Sequence, residues 1–497
     1  MFGWFKRRAE RRAANAAMAE ARQTILRQIA ARYDAAQTTN ENKNHWAAAD
    51  SLSPIAANSL AVRQRLRNRS RYEVANNCYA NGMVRTLAYH CVGSGPTLSI
   101  DGESEADREI EDKFAAWADA INLADKIRIM RETRARDGEA FGMLTTNPLI
   151  RDAVKLDLVL VEADRWTDPA GTFDTSRYVD GISYDASGNP ISYHLLDNHP
   201  GEIVNFAMAG TVQSREIPAS NVLHWFRTDR PGQVRGIPEI TAALPLYAIL
   251  RRYTLAVLGT AEIAAMWSLF LKTTSPAIDP ASVDPYDVID VERNGMMTMP
   301  EGWDVSQLKA EQPTTTYDAF TRTVLREIAR CLDMPFNIAA GDSSSYNYSS
   351  GKLDHQTYFR AIDVDRHSCE RTVLNRIFDE WFDDALVTDG ALVVPRTNLS
   401  RPLVEWDWPP FEHVDPLKES NATTNDLASG LTSIPTELAR RGRKWEREWA
   451  RQARALGLTM QEFQRRMADK LFNPNGAPQL AQPSDGQNQD QTSGAAA

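Results

Sequence analysis

Asp137 and Glu139, in the segment RDGEAF, are the pair of side chains best suited to acid–base or metal-assisted chemistry. Two carboxylates two residues apart can share a site and divide the work of moving a proton. This pair makes a metal-dependent nuclease or another hydrolase the alternative function for the chain. The competing interpretation, which we favour, is a charged turn in which Gly138 adopts a positive φ before a strand.

Other catalytic motifs are absent from the sequence. Gly351-Lys352 is the only Gly-Lys pair, and Tyr346 stands where a phosphate-binding loop needs glycine, so we expect no ATP hydrolysis. Neither GxSxG nor HExxH occurs. His355 and His367 are interpreted as helix-surface histidines, and the four cysteines lie far apart without a CxxC pair. The sequence therefore predicts no metal, no cofactor and no enzyme.

Five arginines occupy alternate positions just ahead of an asparagine-rich helical segment. In a helix, Arg63, Arg67 and Arg71 share one face, while Arg65 and Arg69 occupy another. The simplest interpretation is a charged helix paired with acidic residues of the same chain. The functional alternatives are a phosphate-facing stripe and an intersubunit ion-pair belt. Between these two, the acidic total charge favours the belt.

The chain of 497 residues carries 66 acidic and 56 basic side chains, for a formal net charge of −10. This length exceeds what one compact core needs and predicts several domains. Tight binding of nucleic acid depends on Lys and Arg displacing counterions from phosphate, so an acidic chain is a poor candidate for it. The charge remains compatible with a protein past which DNA slides.

The two ends of the chain differ in composition from the middle. Residues 1–32 hold eight basic and two acidic side chains and predict a basic arm, either solvated or in contact with DNA or an acidic neighbour. Residues 473–497 are too polar to bury a core and predict a disordered tail. Since no run of about 18 uncharged apolar residues occurs, we expect no membrane span.

The sequence pattern predicts that helices and strands of an α+β, predominantly helical chain position the candidate residues. The first half reads as one mixed domain over residues 33–238. Its predicted segments are helix over 46–91 and 105–136, strand within 155–166 and at 222–226, and a hairpin at 181–196.

The second half predicts long helices separated by one irregular segment. Residues 239–272 are apolar on nearly every face, and such a helix must be buried all round, so subunit–subunit packing is its natural place. A Pro- and Asp-rich excursion follows, and residues 315–333 then show clean helical spacing. The polar segment GDSSSYNYSSGK at 341–352 predicts a loop. Helix is predicted again over 353–386 and most of 416–470.

Several of these segments together resemble the lambda family of bacteriophage portal proteins. The matching blocks appear in the family's order along residues 46–450. They are WxxAD…AANS…LRxRSRYEVANN at 46–77, RDGEAF at 136–141, RPGQVRGIPE at 230–239, AGDSSxxNYSS at 340–350 and VDPxKE at 414–419.

The resemblance implies a multi-domain portal fold of wing, stem, clip and crown, assembled as a dodecameric ring around a central tunnel. The implied regions are a basic arm (1–32), wing (33–238), first stem helix (239–272), clip (273–312), second stem helix (313–338), tunnel loop (339–352), a helix and strand returning to the wing (353–410), crown helices (411–472) and the tail (473–497).

The resemblance also implies a function without catalysis. The ring would sit at one capsid vertex of the virion, after assembly in the host cytoplasm, and conduct double-stranded DNA during packaging and ejection without reading its sequence. The implied partners are the major capsid protein and scaffold, the large terminase and the head-completion proteins. Tunnel-facing residues would be Asp342, Ser344, Tyr346, Asn347, Tyr348 and Lys352, with Lys352 as the phosphate partner.

Overall fold

A computed structural model of the chain divides it into two units, Met1–Ala57 and Asn58–Ala497. The residues it describes are 15–22, 43–45, 47–100, 104–168, 174–175, 177–202, 213–265, 269–273, 303–307, 317–344, 346–393, 401–411, 416–440, 443 and 445–472. The first unit contains helix α1 at 15–22 and helix α2 at Pro54–Ala57. The remainder of the predicted arm and the whole predicted tail lie outside the described residues.

Four helices open the second unit. They are α3 (Leu60–Asn76), α4 (Cys78–Val92), α5 (Glu105–Ala120) and α6 (Leu123–Asp137). The sequence predicted two longer helices here, and asparagines divide both of them. The Asn77 side chain accepts hydrogen bonds from the amides of Tyr79 and Ala80 and so caps α4. Asn122 adopts φ +53°, a left-handed conformation that ends one helix before the next.

Short antiparallel sheets follow the helices. Strand β2 (Glu139–Thr146) is the centre of a three-stranded sheet, between β3 (Leu156–Val161) and β8 (Val222–Phe226). A second sheet has the order β4 (Tyr178–Val179), β5 (Ile182–Tyr184), β6 (Pro190–Leu196) and β7 (Ser214–Pro218). Strand β1 (Thr97–Ile100) pairs with β11 (Val404–Asp407). The predicted strands and the hairpin at 181–196 are thereby confirmed.

The next segment contains the long helices. They are α7 (Leu244–Ala265), α8 (Tyr317–Arg330), the short α9 (Phe336–Ala340), α10 (Tyr348–Cys369) and α11 (Asn375–Val387), the last two joined by a π-helical turn at Glu370–Leu374. Between α7 and α8, strand β9 (Leu269–Thr273) pairs with β10 (Trp303–Gln307).

The prediction of one helix over 239–272 is wrong at both ends. A 3₁₀ turn at Thr241–Ala243 precedes α7, and the last residues of the range form β9 instead. A short apolar run such as LFLKT fits a strand as well as a helix, and its pairing with β10 decides the outcome. Of the predicted clip (273–312), only residue 273 and strand β10 belong to the described residues.

Four further helices complete the described chain. They are α12 (Pro416–Ser429), α13 (Ile434–Arg440), α14 (Trp445–Ala455) and α15 (Met460–Phe472), in agreement with the predicted helical segment. Trp449 of α14 packs edge-on against Phe463 of α15, which holds the two helices together, and also against Trp445 one turn earlier in α14.

One large hydrophobic core joins parts of the chain that are far apart in sequence. Its aromatic centre consists of Phe114, Trp117, Phe378, Trp381 and the half-buried Trp406. The Trp117 indole also donates a hydrogen bond of 2.9 Å to the Leu156 carbonyl. The α+β, predominantly helical fold class is therefore confirmed. None of the helices in the described part of the chain is long and apolar enough to cross a membrane.

Candidate functional site

The inner face of α3 carries arginines that point into the protein. Arg63 and Arg67 are each only 2% exposed. Arg63 forms an ion pair with Asp180, and Arg67 lies 2.9 Å from Glu139 and 2.7 Å from Asp164. The proposed phosphate-facing or intersubunit role is therefore corrected for both residues, because neither guanidinium can reach DNA or a neighbouring chain. The simplest sequence interpretation, pairing within the chain, is the one the structure shows.

The two candidate catalytic carboxylates are sealed in the same way. Asp137 and Glu139 are both 0% exposed. Arg71, the third arginine of the predicted stripe, donates two hydrogen bonds of 2.9 Å to Asp137. It remains partly exposed, but its guanidinium is committed to this bidentate pair. Neither carboxylate is open to a substrate, and arginine occupies the positions that a metal ion would need.

Arg235, from the RPGQVRGIPE block, completes this network. Its guanidinium lies 2.6 Å from Glu139 and 2.9 Å from Asp180, and it donates 3.1 Å to the Trp166 carbonyl. Burial raises the pKa of Glu139, but the Arg235 charge and a hydrogen bond from His224 outweigh it and hold that pKa well below its usual value. Burial also lowers the pKa of His224, whose ring stacks on Phe141 of the neighbouring strand.

Close backbone packing brings these carboxylates to the arginines. Gly138 ends α6 with φ +94°, as the sequence predicted, and the chain turns directly into β2. A Cβ at Gly138 would lie 2.6 Å from the Pro238 nitrogen, and one at Gly236 would lie 2.7 Å from the Gly138 carbonyl carbon. The RDGEAF and RPGQVRGIPE segments therefore touch through their glycines, and only glycine fits at either position.

A second buried network lies at the start of the long helices. Arg131 and Arg134 of α6 pair with Glu239, at 3.0 and 2.7 Å, and each lies 2.6 Å from Asp365 of α10. Burial by itself would raise the pKa of Glu239. The attraction of the two arginine charges is stronger and lowers that pKa to about 2. Sequence reasoning missed this cluster. The only signal was the position of Glu239 in the Pro- and Gly-containing segment RPGQVRGIPE, which indicates close packing but not the partners.

Helices α7 and α8 pack against each other through aromatic side chains. Tyr253 stacks on Tyr317 with 5.6 Å between ring centres, and it meets the edge of Phe320 at 5.0 Å. The other side of α7 is open: Leu255 is 60% exposed and Leu258 is 55% exposed. A single chain therefore does not bury this helix all round.

The predicted tunnel loop is shorter than the sequence indicated. Helix α9 ends at Ala340, and α10 begins at Tyr348, so the connection is reduced to residues 341–347. The Asn347 side chain accepts a 2.9 Å hydrogen bond from the Ser350 amide and caps α10. Tyr348 and Lys352 are consequently helical residues, and Lys352 is exposed.

Three of the described loop residues contact α8 or the core. Arg322 of α8 lies 3.2 Å from the Asp342 carboxylate and 3.5 Å from the Ser344 hydroxyl. Tyr346 packs against the large core. Beside this loop lies an open pocket of about 490 Å³, whose lining includes Tyr346 and Arg326. The Arg326 guanidinium lies over the Phe336 ring, 5.2 Å from its centre.

One group of possible metal ligands occurs in the part of the chain that the structure describes. Glu162, Asp164 and His199 have ligand atoms within 4.8 Å of one another. Both oxygens of Asp164 lie 2.7 Å from an arginine, one from Arg67 and the other from Arg71. These cations occupy the carboxylate, so the group does not fit a divalent ion.

Comparison with known proteins places this architecture in context. Residues 39–366 match the family described as "Phage portal protein, lambda family". The chain is 25% identical over 406 residues to the "Probable portal protein" of Halomonas phage phiHAP-1, covering 76% of this chain and 77% of that protein. It is 21% identical over 435 residues to portal protein B of Escherichia phage lambda, covering 77% and 81%.

Solved structures give a weaker likeness. A chain from the neck of the native gene transfer agent particle, computed with C12 symmetry, aligns with a TM-score of 0.43 at 13% identity, over 75% of this chain and 92% of that one.

The described residues form a predominantly helical α+β fold in which arginines seal both candidate catalytic carboxylates. Because the family match covers more than half of its length, the chain belongs to the lambda family of phage portal proteins. The resemblance predicted from the sequence blocks is thereby confirmed, and the family is one of structural proteins rather than enzymes.

Proposed function

We propose that this chain forms a ring, dodecameric in the assembled capsid, at one vertex of the virion. The ring conducts double-stranded DNA during packaging and ejection and docks the large terminase and later the head-completion proteins. In this proposal, α7 and α8 are the stem helices and residues 341–347 form the tunnel loop. The observation that carries it is the open apolar side of the helix pair in a member of the portal family.

The uncovered side chains give the ring a physical driving force. Ile249, Leu255 and Leu258 of α7 and Phe320 of α8 are each about half exposed in the single chain. Covering a fully exposed side chain of this size contributes about 1.5–3 kcal/mol, so covering half of each contributes roughly 1 kcal/mol. The stem alone therefore supplies several kcal/mol for every contact between neighbouring subunits. A ring covers this surface on every copy, because its last subunit contacts its first.

The proposed tunnel wall suits a duplex that must keep moving. Each phosphate contact from Lys or Arg adds affinity that has to be broken at every step of translocation. The loop instead offers small polar groups, and each subunit adds a formal charge of −10. Lys352 is exposed near the start of α10 and is the proposed phosphate contact. The other proposed DNA-facing residues are Asp342, Ser344, Tyr346, Asn347 and Tyr348.

Imaging of the purified protein tests the ring directly. Negative-stain views down the symmetry axis should show rings with a central opening, and native mass spectrometry should give a single dominant oligomer. Leu255→Asp/Leu258→Asp should leave folded monomers, because it places charge on the surface that neighbours cover. Leu149→Asp, at an 87% exposed site outside the helix pair, should still form rings. Wild-type protein that stays monomeric under varied salt and with scaffold would overturn the proposal.

A packaging reaction tests the DNA-conducting role separately from assembly. Proheads built with Lys352→Glu should contain intact rings but package less DNA with the large terminase, since the exchangeable phosphate contact becomes repulsive. Lys470→Glu, an equal charge change at an exposed site on α15, is the control and should package normally. Equal packaging by both variants would exclude Lys352 as a DNA contact while leaving the ring itself intact.

A further inference from the structure

The outward face of α3 forms an exposed stripe whose arginines have no ion-pair partner among the described residues, while the Arg251 guanidinium lies over the Tyr72 ring at 5.1 Å. Val62, Arg65, Arg69 and Tyr72 recur at helical spacing, opposite the buried arginines of the same helix. Val62 is 40% exposed and Tyr72 is 53% exposed. Arg65 and Arg69 are exposed as well, and neither forms an ion pair with a described residue. We call these four residues the basic row.

An acidic counterpart lies on the outward face of α11. The inner face of this helix packs into the core through Phe378 and Trp381, while the exposed Glu380 and the half-buried Asp384 lie on adjacent turns beside that face. Val387, one turn further along, is 81% exposed. We call Glu380, Asp384 and Val387 the acidic row.

The acidic row is crowded with like charge. Burial and the neighbouring Asp383 carboxylate raise the pKa of Asp384. Asp379 and Asp383 already pair with Arg401, whereas Glu380 forms no ion pair with any described residue. A cation brought against this surface would relieve the repulsion, which makes the row suited to a basic partner.

The two rows belong to different parts of the unit. Helix α3 packs against α4, α6 and α7, whereas α11 packs against β3. Within the described residues no ion pair joins one row to the other. A closed ring with head-to-tail contacts requires two different, complementary surfaces on every subunit. The basic and acidic rows have the chemistry that such a contact needs.

We propose that the basic row of one subunit binds the acidic row of the neighbouring subunit in the ring. This inference rests on the proposed ring and names the surfaces that join it. Arg65 and Arg69 are four residues apart, as are Glu380 and Asp384, so each pair spans about 6 Å along its helix. Two guanidinium groups can therefore face two carboxylates in register.

Apolar contacts at the ends of the rows favour a protein over DNA as the partner. Val62 and Tyr72 flank the two arginines, and Val387 follows the two carboxylates with Leu386, which is 40% exposed, beside it. A phosphate backbone would leave those apolar side chains uncovered. A second copy of this chain covers them and pairs the charges in the same contact.

Charge reversal on each side, and on both together, tests the pairing. R65E/R69E and E380R/D384R should each raise the protein concentration at which half of the subunits are in rings by at least about tenfold, because like charges then face each other. The combined four-residue variant should return it to within about threefold of wild type. Arg177→Glu/Lys470→Glu, two reversals at exposed sites elsewhere, should leave assembly unchanged.

Mass photometry over a concentration series gives the readout, and circular dichroism checks that each variant is folded. If a reversed variant fails to fold, R65A/R69A and E380A/D384A replace the reversals and should each weaken assembly. Rings unaffected by either reversal, or reversals not rescued by their combination, would overturn this inference and leave the proposed function standing. Loss of duplex binding by R65E/R69E without an assembly defect would assign the row to DNA instead. Wild-type protein that forms no ring would refute the proposed function itself.

Discussion

Replacing Arg235 with alanine should be among the most destabilising single changes in the chain. The guanidinium is 2% exposed and makes ion pairs with Glu139 and Asp180. It also donates a hydrogen bond to the Trp166 carbonyl. Arg235→Ala removes all of these contacts and leaves two buried carboxylates with fewer cations around them.

The magnitude follows from what remains after the change. Breaking a buried ion pair by removing one partner costs about 3–5 kcal/mol. Glu139 keeps Arg67 at 2.9 Å and Asp180 keeps Arg63, so neither charge is left wholly unpaired. The orphaned carbonyl adds about 1 kcal/mol or more. We expect a net loss of about 4 kcal/mol in the free energy of unfolding, or roughly 4–5 °C in melting temperature for a unit of this size.

Guanidinium chloride denaturation followed by tryptophan fluorescence measures this loss at one fixed protein concentration. Arg235→Lys keeps the charge but not the planar fork of donors, so it should lose roughly half as much stability. Arg177→Ala, at an exposed site, should stay within about 0.5 kcal/mol of wild type. A loss below about 1 kcal/mol for Arg235→Ala would refute the claim that this guanidinium holds the network together.

Gly138→Ala should cost clearly more stability than Gly188→Ala in thermal melts: both glycines have positive φ, but a Cβ meets backbone only at Gly138. Equal costs would show that the close packing is not limiting. Below about pH 6.5 the unfolded wild-type chain binds a proton at His224 that the folded chain does not bind, because burial lowers the pKa of this imidazole. The free energy of unfolding therefore falls with pH, and His224→Gln should reduce that slope by up to about 1.4 kcal/mol per pH unit. Unchanged slopes in urea denaturation across that range would contradict this. Asn347→Ala should remove the cap of α10 at a cost of about 1 kcal/mol. Hydrogen exchange at Ser350 should then rise roughly fivefold, and no rise would show that the cap is unimportant.

Local sequence patterns anticipated several elements of the fold. The spacing of apolar residues over 315–333 predicted α8, which the structure places at Tyr317–Arg330. The positive φ of Gly138 followed from its place between a charged turn and a strand. The ordered sequence blocks identified the portal family, which the family match over 39–366 confirms. These features depend on residues close together in the chain, and their local preferences agree with the fold.

Contacts between distant segments decided what the sequence left open. In α3 every second residue from 63 to 71 is an arginine, so no apolar stripe marks the inner face. Carboxylates from β2 and the neighbouring turns pack against one side of the helix and bury Arg63 and Arg67 there. Arg65 and Arg69 lie on the other side and stay exposed. The strand in place of the last predicted helical residues was likewise set by pairing with β10, thirty or more residues further along the chain. The sequence by itself determined the family and most helices, because family blocks and apolar periodicity are local features. The assignment of each charge to core or surface required the tertiary structure, because a charge is buried only where another part of the chain supplies its counter-charge.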